Sequence, residues 1–225
     1  MRTEELIGEL AAGLKPVRRL PSPGRQAVLW LAIAAAAILA AVLVHGPRQD
    51  LAQRLLLPHD VAQWAASVAA GIGAAVAAAM LARPDRDWRW GLLPVPALAA
   101  WVGSLGWGCL ADIARLGPLG GQIGTSWPCL RFIILMGVPL AAAQFWLLRH
   151  AGPVRPGPVL VLGGLASAAL CSAGLSLFHH LDAAVMILLW HGGAMALLTL
   201  SGWLFGRPFL LRRRAAWGGR RTPLA

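Results

Sequence analysis

The sequence predicts an all-α membrane protein, a polytopic bundle of six transmembrane helices preceded by a short cytoplasmic amphipathic helix. Three observations lead to this prediction: six long apolar stretches, a composition that is 58% hydrophobic, and basic residues concentrated in alternate loops. A soluble chain of 225 residues would need far more polar surface than this composition provides. The composition therefore excludes an ordinary soluble domain.

Each apolar stretch is close to the ~20 residues that a helix needs to cross ~30 Å of hydrocarbon. The six stretches are Ala27–Val44, Val61–Ala82, Gly91–Leu110, Cys129–Leu148, Val159–Phe178 and Ala183–Gly206. Lipid offers the backbone no hydrogen-bond partners, so each stretch must be helical unless the chain closes a barrel. The runs are continuous and lack the period-two alternation of barrel strands, which argues against the barrel.

Basic residues indicate the orientation. Sixteen of the 20 Lys and Arg residues precede the first span, follow the sixth, or lie between spans two and three or four and five. The opposite side holds Arg48, Arg54 and Arg115, with Arg131 at the mouth of span four. The positive-inside rule therefore places both termini in the cytoplasm. Basic termini of this kind favour anionic lipid headgroups over nucleic acid, so no direct nucleic-acid binding is expected.

The chain divides into a cytoplasmic segment, 1–26, a transmembrane domain, 27–206, and a basic cytoplasmic tail, 207–225. The first segment predicts a helix of about three turns, with Thr3 as its N-cap and Pro16 as its end. Its apolar stripe consists of Leu6, Ile7, Leu10 and Leu14. Such a stripe fits either a groove on a partner protein or the interface of the membrane, and the pattern alone favours neither.

Two of the three cysteines fall at the predicted outer face. Cys109 ends span three and Cys129 begins span four, so adjacent helix ends could bring them within the ~5.5 Å Cα separation of a disulfide. Disulfides persist in the periplasm, so a disulfide or a reactive thiol pair is one interpretation. A simple loop staple and two unrelated small residues are the others. Cys171, within span five, is expected to be a buried packing residue.

Histidines lie at the same outer face. His179 and His180 could join Cys109 and Cys129 as nitrogen and sulfur ligands of a soft metal ion. Their spacing follows no known ligand pattern, so polar loop residues in water are the other interpretation. No cofactor is expected.

Two ionisable groups lie at membrane depth, where they are costly and therefore candidates for function. They are His191 in span six and Arg131 near the outer mouth of span four. A neutral, hydrogen-bonded imidazole and an arginine that extends to the surface are the alternatives. The chain has no ordered Ser-His-Asp arrangement, no paired carboxylates in the spans, no phosphate-binding loop and no HExxH motif. An enzyme is therefore not expected.

Several segments together resemble a known family. They are TEELIGELAAGLKPVRRL at 3–20, GWGCLAD at 106–112, WPCLRFI at 127–133, LLWHG at 188–192 and the closing Gly206–Arg207. In order and spacing the set is similar to the NrsF-type family of six-pass membrane anti-sigma factors. The similarity covers roughly residues 3–217 of the chain.

The resemblance implies an inner-membrane protein that holds an extracytoplasmic-function sigma factor inactive at the membrane. It implies a functional cysteine pair, matched here by Cys109 and Cys129, and it favours partner binding by the N-terminal stripe. The family often has His-Cys before the sixth span, whereas this chain has His179-His180, so a third outer cysteine is in doubt. The expected function is release of the sigma factor on a periplasmic redox or heavy-metal signal. The alternatives are a small membrane transporter or thiol-disulfide carrier, and a purely structural membrane subunit.

Overall fold

The computed structural model describes residues 2–12, 20–116, 127–151, 156–179, 190, 192–201 and 203–204. These residues form helices joined by turns. The helices are α1 Thr3–Ala12, α2 Pro23–His45, α3 Leu51–Arg54, α4 Pro58–Leu81, α5 Val95–Leu116, α6 Trp127–Leu148, α7 Pro156–Leu175 and α8 Gly192–Ser201. Short 3-10 helices, Trp88–Leu92 and Arg149–Ala151, precede α5 and follow α6.

Five helical segments are long and apolar enough to cross a membrane. They are α2, α4, the stretch Trp88–Gly108 that leads into α5, the stretch Cys129–Leu148 of α6, and α7. This agrees with the predicted helical membrane bundle. α8 falls within the predicted sixth span but is shorter, and residues 180–189 lie outside the described part of the chain. The described helices thus account for five spans and part of a sixth.

α1 begins at Thr3, which the sequence predicted to be the N-cap before the helix. The Leu6 N–H donates to the Arg2 carbonyl at 3.2 Å, so Arg2 rather than Thr3 is the capping residue. The Arg2 backbone N–H donates in turn to the Glu5 carboxylate at 2.9 Å. Glu5 is the third helical residue, and the bond between its carboxylate and the N–H of the capping residue is one of the two hydrogen bonds of a capping box. Local hydrogen bonding therefore stabilises the first turn of α1.

α2 begins at Pro23, four residues before the predicted start of the first span. Ser22 is its N-cap, and the Ser22 hydroxyl accepts the Arg25 N–H at 3.3 Å. Serine at the cap and proline at the first helical position both favour a helix start. The Pro-Ser-Pro-Gly run at 21–24 therefore contains the start of α2.

The bundle is arranged around α7. This helix packs against α4, α6 and α2, and the whole run from Ala166 to Leu175 is buried. On another side it approaches α8 closely, since a Cβ added at Gly164 would lie 3.0 Å from the Thr199 Cα atom. Close backbone approach of this kind depends on glycine and is typical of membrane helices.

Small residues set the distance between α7 and α4. The buried residues of α4 include Ala70, Gly71, Ala74, Ala75 and Ala78. A Cβ added at Gly71 would lie 2.7 Å from the Leu170 Cγ atom. Nearby, the Ser67 hydroxyl donates to the Ala169 carbonyl at 3.0 Å. In lipid, where all tails are as apolar as leucine, such packing and hydrogen bonds hold helices together.

α5 and α6 pack on different helices. α5 lies against α4, whereas α6 lies against α7 and α2, and the described parts of α5 and α6 share no extended contact. The adjacency of spans three and four therefore stays a prediction.

Candidate functional site

α1 exposes the apolar stripe that the sequence predicts to bind a partner. Leu6, Ile7 and Leu10 are 40%, 60% and 64% exposed, respectively. None of the described residues of α1 is buried. Leu14, the fourth residue of the predicted stripe, lies outside the described part of the chain. Three large apolar side chains on a ten-residue helix give α1 a surface that a protein groove or a membrane interface could cover.

The two candidate sensor cysteines lie near the end of α5 and the start of α6. Cys109 is seven residues before the end of α5, about two turns inside the helix and not at its terminus. The position of its side chain lies outside the described part of the structure. Cys129 is in the first turn of α6 and is 0% exposed. A reagent can therefore reach the Cys129 sulfur only when the packing at this end of the bundle opens.

Three aromatic side chains connect α6 to α2 at the same end of the bundle. Phe132, one turn after Cys129, meets Phe178 edge-on with 5.0 Å between ring centroids. Phe178 stacks on His45, the last residue of α2, at 4.9 Å and an interplanar angle of 12°. We call His45, Phe178 and Phe132 the aromatic relay. Because Phe178 follows α7, the relay joins three spans.

Hydrogen bonds from Arg48 hold the loop between α2 and α4 beside the aromatic relay. The Arg48 backbone N–H donates to the Leu177 carbonyl at 3.0 Å, and its guanidinium donates to the His179 carbonyl at 3.4 Å. The buried Arg48 guanidinium also donates to both Asp50 carboxylate oxygens, at 2.6 and 2.8 Å. These hydrogen bonds, with a smaller contribution from Arg54, hold the pKa of Asp50 far below its usual value. A bidentate pair of this kind fixes geometry as well as charge.

The other candidate residues do not assemble into a site in the described structure. Within the described ranges, no group of three or more His, Cys, Asp and Glu side chains could hold a metal ion. The His179 carbonyl bonds to Arg48, while His180 and His191 lie outside those ranges. Arg131 is exposed on α6, where its stem can carry the guanidinium toward the membrane surface.

α6 is also hydrogen bonded to α2 away from the aromatic relay. The buried Trp30 Nε1–H donates to the Leu140 carbonyl at 2.8 Å, and the buried Gln26 amide donates to the Leu147 carbonyl at 2.9 Å. Both acceptors belong to the second half of α6 and both donors lie near the start of α2, so these bonds join the two helices at one end. α2 and α6 are thus joined at both ends.

The linker that leads from α1 to α2 is attached to the end of α4. The Arg83 guanidinium donates to the Pro21 carbonyl, one residue before the Ser22 cap of α2. Arg83 lies just after α4, and its Nε atom is buried without a hydrogen-bond partner. This contact is the point where the bundle meets the segment that carries α1.

Comparison with known proteins decides the family. The family model for NrsF, described as the negative regulator of sigma F, matches residues 10–212. That range is most of the 225-residue chain. The chain belongs to the NrsF family. The suspected resemblance is therefore confirmed, and so is the prediction that the protein is a regulator and not an enzyme.

One curated relative supports the same assignment. The chain is 28% identical over 219 residues to the anti-sigma-F factor NrsF of Caulobacter vibrioides (strain NA1000 / CB15N). The aligned region covers 90% of this chain and 96% of that protein. No solved structure matches the chain significantly. As a member of the NrsF family, the protein is an anti-sigma factor, and its expected partner is a sigma factor.

Sequence reasoning missed the contacts that join the spans of this NrsF protein. The aromatic relay depends on which helices are neighbours, and no residue pattern indicated that α2 would lie beside α6. One signal was available, because glutamine is unusual in an apolar span. Gln26 at the start of α2 and Gln144 in α6 are both buried, and each donates to a carbonyl of another helix.

Proposed function

We propose that this NrsF-family protein is an inner-membrane anti-sigma factor that sequesters an extracytoplasmic-function sigma factor through its N-terminal segment. The family match supports the regulatory role, and the exposed stripe of α1 supports the docking role. The excess of basic residues on one side supports an orientation with both termini in the cytoplasm, where the sigma factor is. Bound in this way, the sigma factor is kept from RNA polymerase.

The apolar stripe of α1 provides part of the binding energy. Full burial of Leu6, Ile7 and Leu10 would contribute about 1.5–3 kcal/mol each, and less in proportion to their partial exposure. Ordering the helix and immobilising two molecules costs several kcal/mol, and a 1 μM complex needs roughly 8 kcal/mol net. The stripe alone therefore falls short. Other residues of 1–26, including the basic ones near its end, must also contact the sigma factor.

We assign signal sensing to Cys109 and Cys129 at the periplasmic end. Two thiols lose two electrons and two protons to an external oxidant when they form a disulfide, and a soft heavy metal would instead replace the two thiol protons. Because Cys129 is completely buried, either reaction needs an opened arrangement of the outer ends of the helices. Modification then traps that arrangement, since a ligand shifts an equilibrium toward the state it favours.

The energy required is within reach of thiol chemistry. Shifting a sigma factor from 99:1 bound to 1:99 needs about 5.5 kcal/mol of coupling between the two sites. For a two-electron couple ~30 mV corresponds to ~1.4 kcal/mol, so a difference of about 120 mV between the two states would suffice.

The contacts of α6 offer a route from the cysteines to the docking segment. Cys129 is one turn from Phe132, and the aromatic relay passes a displacement of α6 to the outer end of α2. The Trp30 and Gln26 hydrogen bonds connect the same two helices further along. α2 continues directly into the Pro21 linker that Arg83 holds. The route from Cys129 to the docking segment therefore runs from α6 to α2.

The docking role is tested by placing charge on the stripe. Leu6→Asp combined with Leu10→Asp should abolish co-purification of the sigma factor with membranes, because each carboxylate would be buried in an apolar groove. Gly8→Asp is the matched control, since Gly8 lies away from the stripe and has nothing within 4 Å of an added Cβ. Loss of the sigma factor in the control alone, or its retention in the double variant, would reject α1 as the docking element.

The sensing role is tested at the sulfurs. Cys109→Ser and Cys129→Ser should each abolish release of the sigma factor on oxidant or heavy-metal stress, measured by a sigma-dependent reporter. Cys171→Ala serves as the control because Cys171 is buried in the middle of the bundle. A normal stress response in both serine variants would exclude the thiol signal.

A further inference from the structure

Among the described helices, an apolar groove opens between α5 and α8, beside α7. Its volume is about 470 Å³. Its walls include Trp101 and Leu105 of α5, Leu165 of α7, and Gly192, Ala196 and Trp203 of the last span. Apart from the indole N–H groups and the Thr199 hydroxyl, the lining side chains are apolar.

The groove lies within the membrane-spanning part of the bundle. Its α5 and α7 residues belong to helices long and apolar enough to cross a membrane, so in a bilayer the groove would open to hydrocarbon. Its walls would lose dispersion contacts if nothing apolar filled it. The occupant must therefore be an apolar group present in the bilayer.

The two candidates for that occupant are a helix from a second copy and an acyl chain. A helix is about 10–12 Å across with its side chains, so it could lie over the groove but would leave the space between the groove's side chains unfilled. An acyl chain is one methylene wide and can lie between Trp101 and Ala196 along the groove.

Charge at one end of the groove indicates the kind of lipid. Arg86 and Arg89 are exposed in the turns before α5, and Arg89 precedes the groove residue Leu98 by nine positions. In the sequence, Arg207 follows Trp203 by four positions. The α5 wall of the groove thus leads to exposed arginines at the end that the proposed orientation places in the cytoplasm, and the sequence that follows Trp203 is basic as well. Arginine near the membrane surface attracts anionic headgroups.

We propose that this groove binds one acyl chain of an anionic phospholipid from the cytoplasmic leaflet, with its headgroup near Arg89. The acyl-chain site does not depend on the proposed function, whereas the choice of leaflet rests on the orientation given there. Bound in this way, the lipid completes the packing around α7, the central helix of the bundle.

Two neighbouring glycines provide the test. An added Cβ would meet nothing within 4 Å at either Gly192 or Gly193, but only Gly192 lines the groove. In native mass spectrometry of the full chain with dioleoylphosphatidylglycerol, wild type and Gly193→Leu should each retain one lipid. Gly192→Leu should bind it at least about tenfold more weakly, the loss expected when roughly two methylene contacts are removed.

The headgroup is tested with a second lipid and a second variant. Wild type should prefer phosphatidylglycerol to phosphatidylethanolamine, and Arg89→Gln should reduce that preference about fivefold, as one surface arginine predicts. Equal binding of both lipids by wild type would overturn the anionic assignment.

Three other results would overturn the groove as the site. One is equal lipid retention by the two glycine variants, which would mean that the lipid only surrounds the protein. The second is a stable dimer that Gly192→Leu dissociates without any loss of lipid. The third uses a second pair of variants, for the case that Gly192→Leu does not fold. Ala196→Leu then replaces it, with Ala100→Leu on the opposite face of α5 as the control. Equal lipid retention by these two variants would be the third contradicting result. Sigma-factor binding enters none of these measurements, so failure of the proposed function would leave their outcome unchanged.

Discussion

At the scale of single residues, polar side chains of one helix donate hydrogen bonds to the carbonyls of a neighbouring helix. The Trp64 Nε1–H and the Ser67 hydroxyl of α4 both donate to carbonyls of α7, at 3.1 and 3.0 Å. The Trp30 indole of α2 donates to a carbonyl of α6 at 2.8 Å. In hydrocarbon an unpaired donor has no water to bond with. Each such bond therefore fixes which helices are neighbours, although one bond in a membrane contributes only about 0.6 kcal/mol on average.

Among the described glycines, Gly164 lies closest to the backbone of a neighbouring helix. A methyl group at this position would lie 3.0 Å from the Thr199 Cα and 3.2 Å from the Leu198 carbonyl oxygen. Backbone atoms cannot rotate away, so Gly164→Ala should push α7 and α8 apart and destabilise the protein by about 1–3 kcal/mol.

Gly103→Ala is the matched control for that prediction. Gly103 lies in α5 with nothing within 4 Å of an added Cβ, so alanine there should be neutral or stabilising by up to about 1 kcal/mol. Thermal unfolding of the purified protein in detergent measures both. A Gly164→Ala variant as stable as wild type would contradict the close packing of α7 on α8.

At the scale of helices, the contact between α2 and α6 carries the proposed signal. α6 bears Cys129, and α2 leads to the docking segment. Their two hydrogen bonds and the aromatic relay hold them in one arrangement. A displaced α6 therefore displaces α2, whereas the described residues of α5 pack mainly against α4.

Removing the two hydrogen bonds should uncouple sensing from release. Trp30→Phe with Gln26→Leu loses two bonds, together worth about 1–2 kcal/mol, and leaves a small cavity beside the phenyl ring. The ratio of released to bound sigma factor under stress should fall by a factor of about 5–30. Binding in unstressed cells should not change, because the stripe of α1 is intact.

Trp107→Phe is the control for this pair, because Trp107 is an exposed tryptophan of α5 with no role in the α2–α6 contact. A stress reporter and membrane co-purification measure release and binding separately. Unchanged release in the double variant would show that the signal takes another path.

The helices themselves could be predicted from the sequence, but their neighbours could not. Continuous apolar runs predicted the five spans that the structure describes. The first of them starts a few residues earlier than predicted because Ser22 and Pro23 begin α2. Packing partners were hidden because the faces that meet lipid and the faces that meet helices are equally apolar in a membrane protein. α7 shows this best, since it is apolar all round and only the structure reveals that it is the centre.

The candidate site could likewise be predicted from the sequence only in part. The stripe of α1 follows from helical periodicity, and the exposure of Leu6, Ile7 and Leu10 is compatible with it. The burial of Cys129 was not predictable, because a cysteine in the first turn of a span could equally face water. That burial depends on long-range packing at the outer end of the bundle, which no local pattern records.

At the scale of the whole molecule, the account places a sensing end and a docking end on opposite sides of one membrane. Cys129 and the aromatic relay lie at the end where α2 finishes and α6 starts, and the Pro21–Arg83 contact lies at the other. Every step of the proposed mechanism needs the first end in the periplasm and the second in the cytoplasm. Orientation is therefore the central claim.

The most direct test labels two loop positions with a membrane-impermeant maleimide. His59 and Asp85 have side chains that are 72% and 68% exposed and lie at opposite ends of α4. In a variant whose three natural cysteines are replaced by alanine, His59→Cys should be labelled in intact spheroplasts. Asp85→Cys should be labelled only after the membrane is permeabilised. The reverse pattern would place α1 outside the cell, away from any sigma factor, and contradict the account.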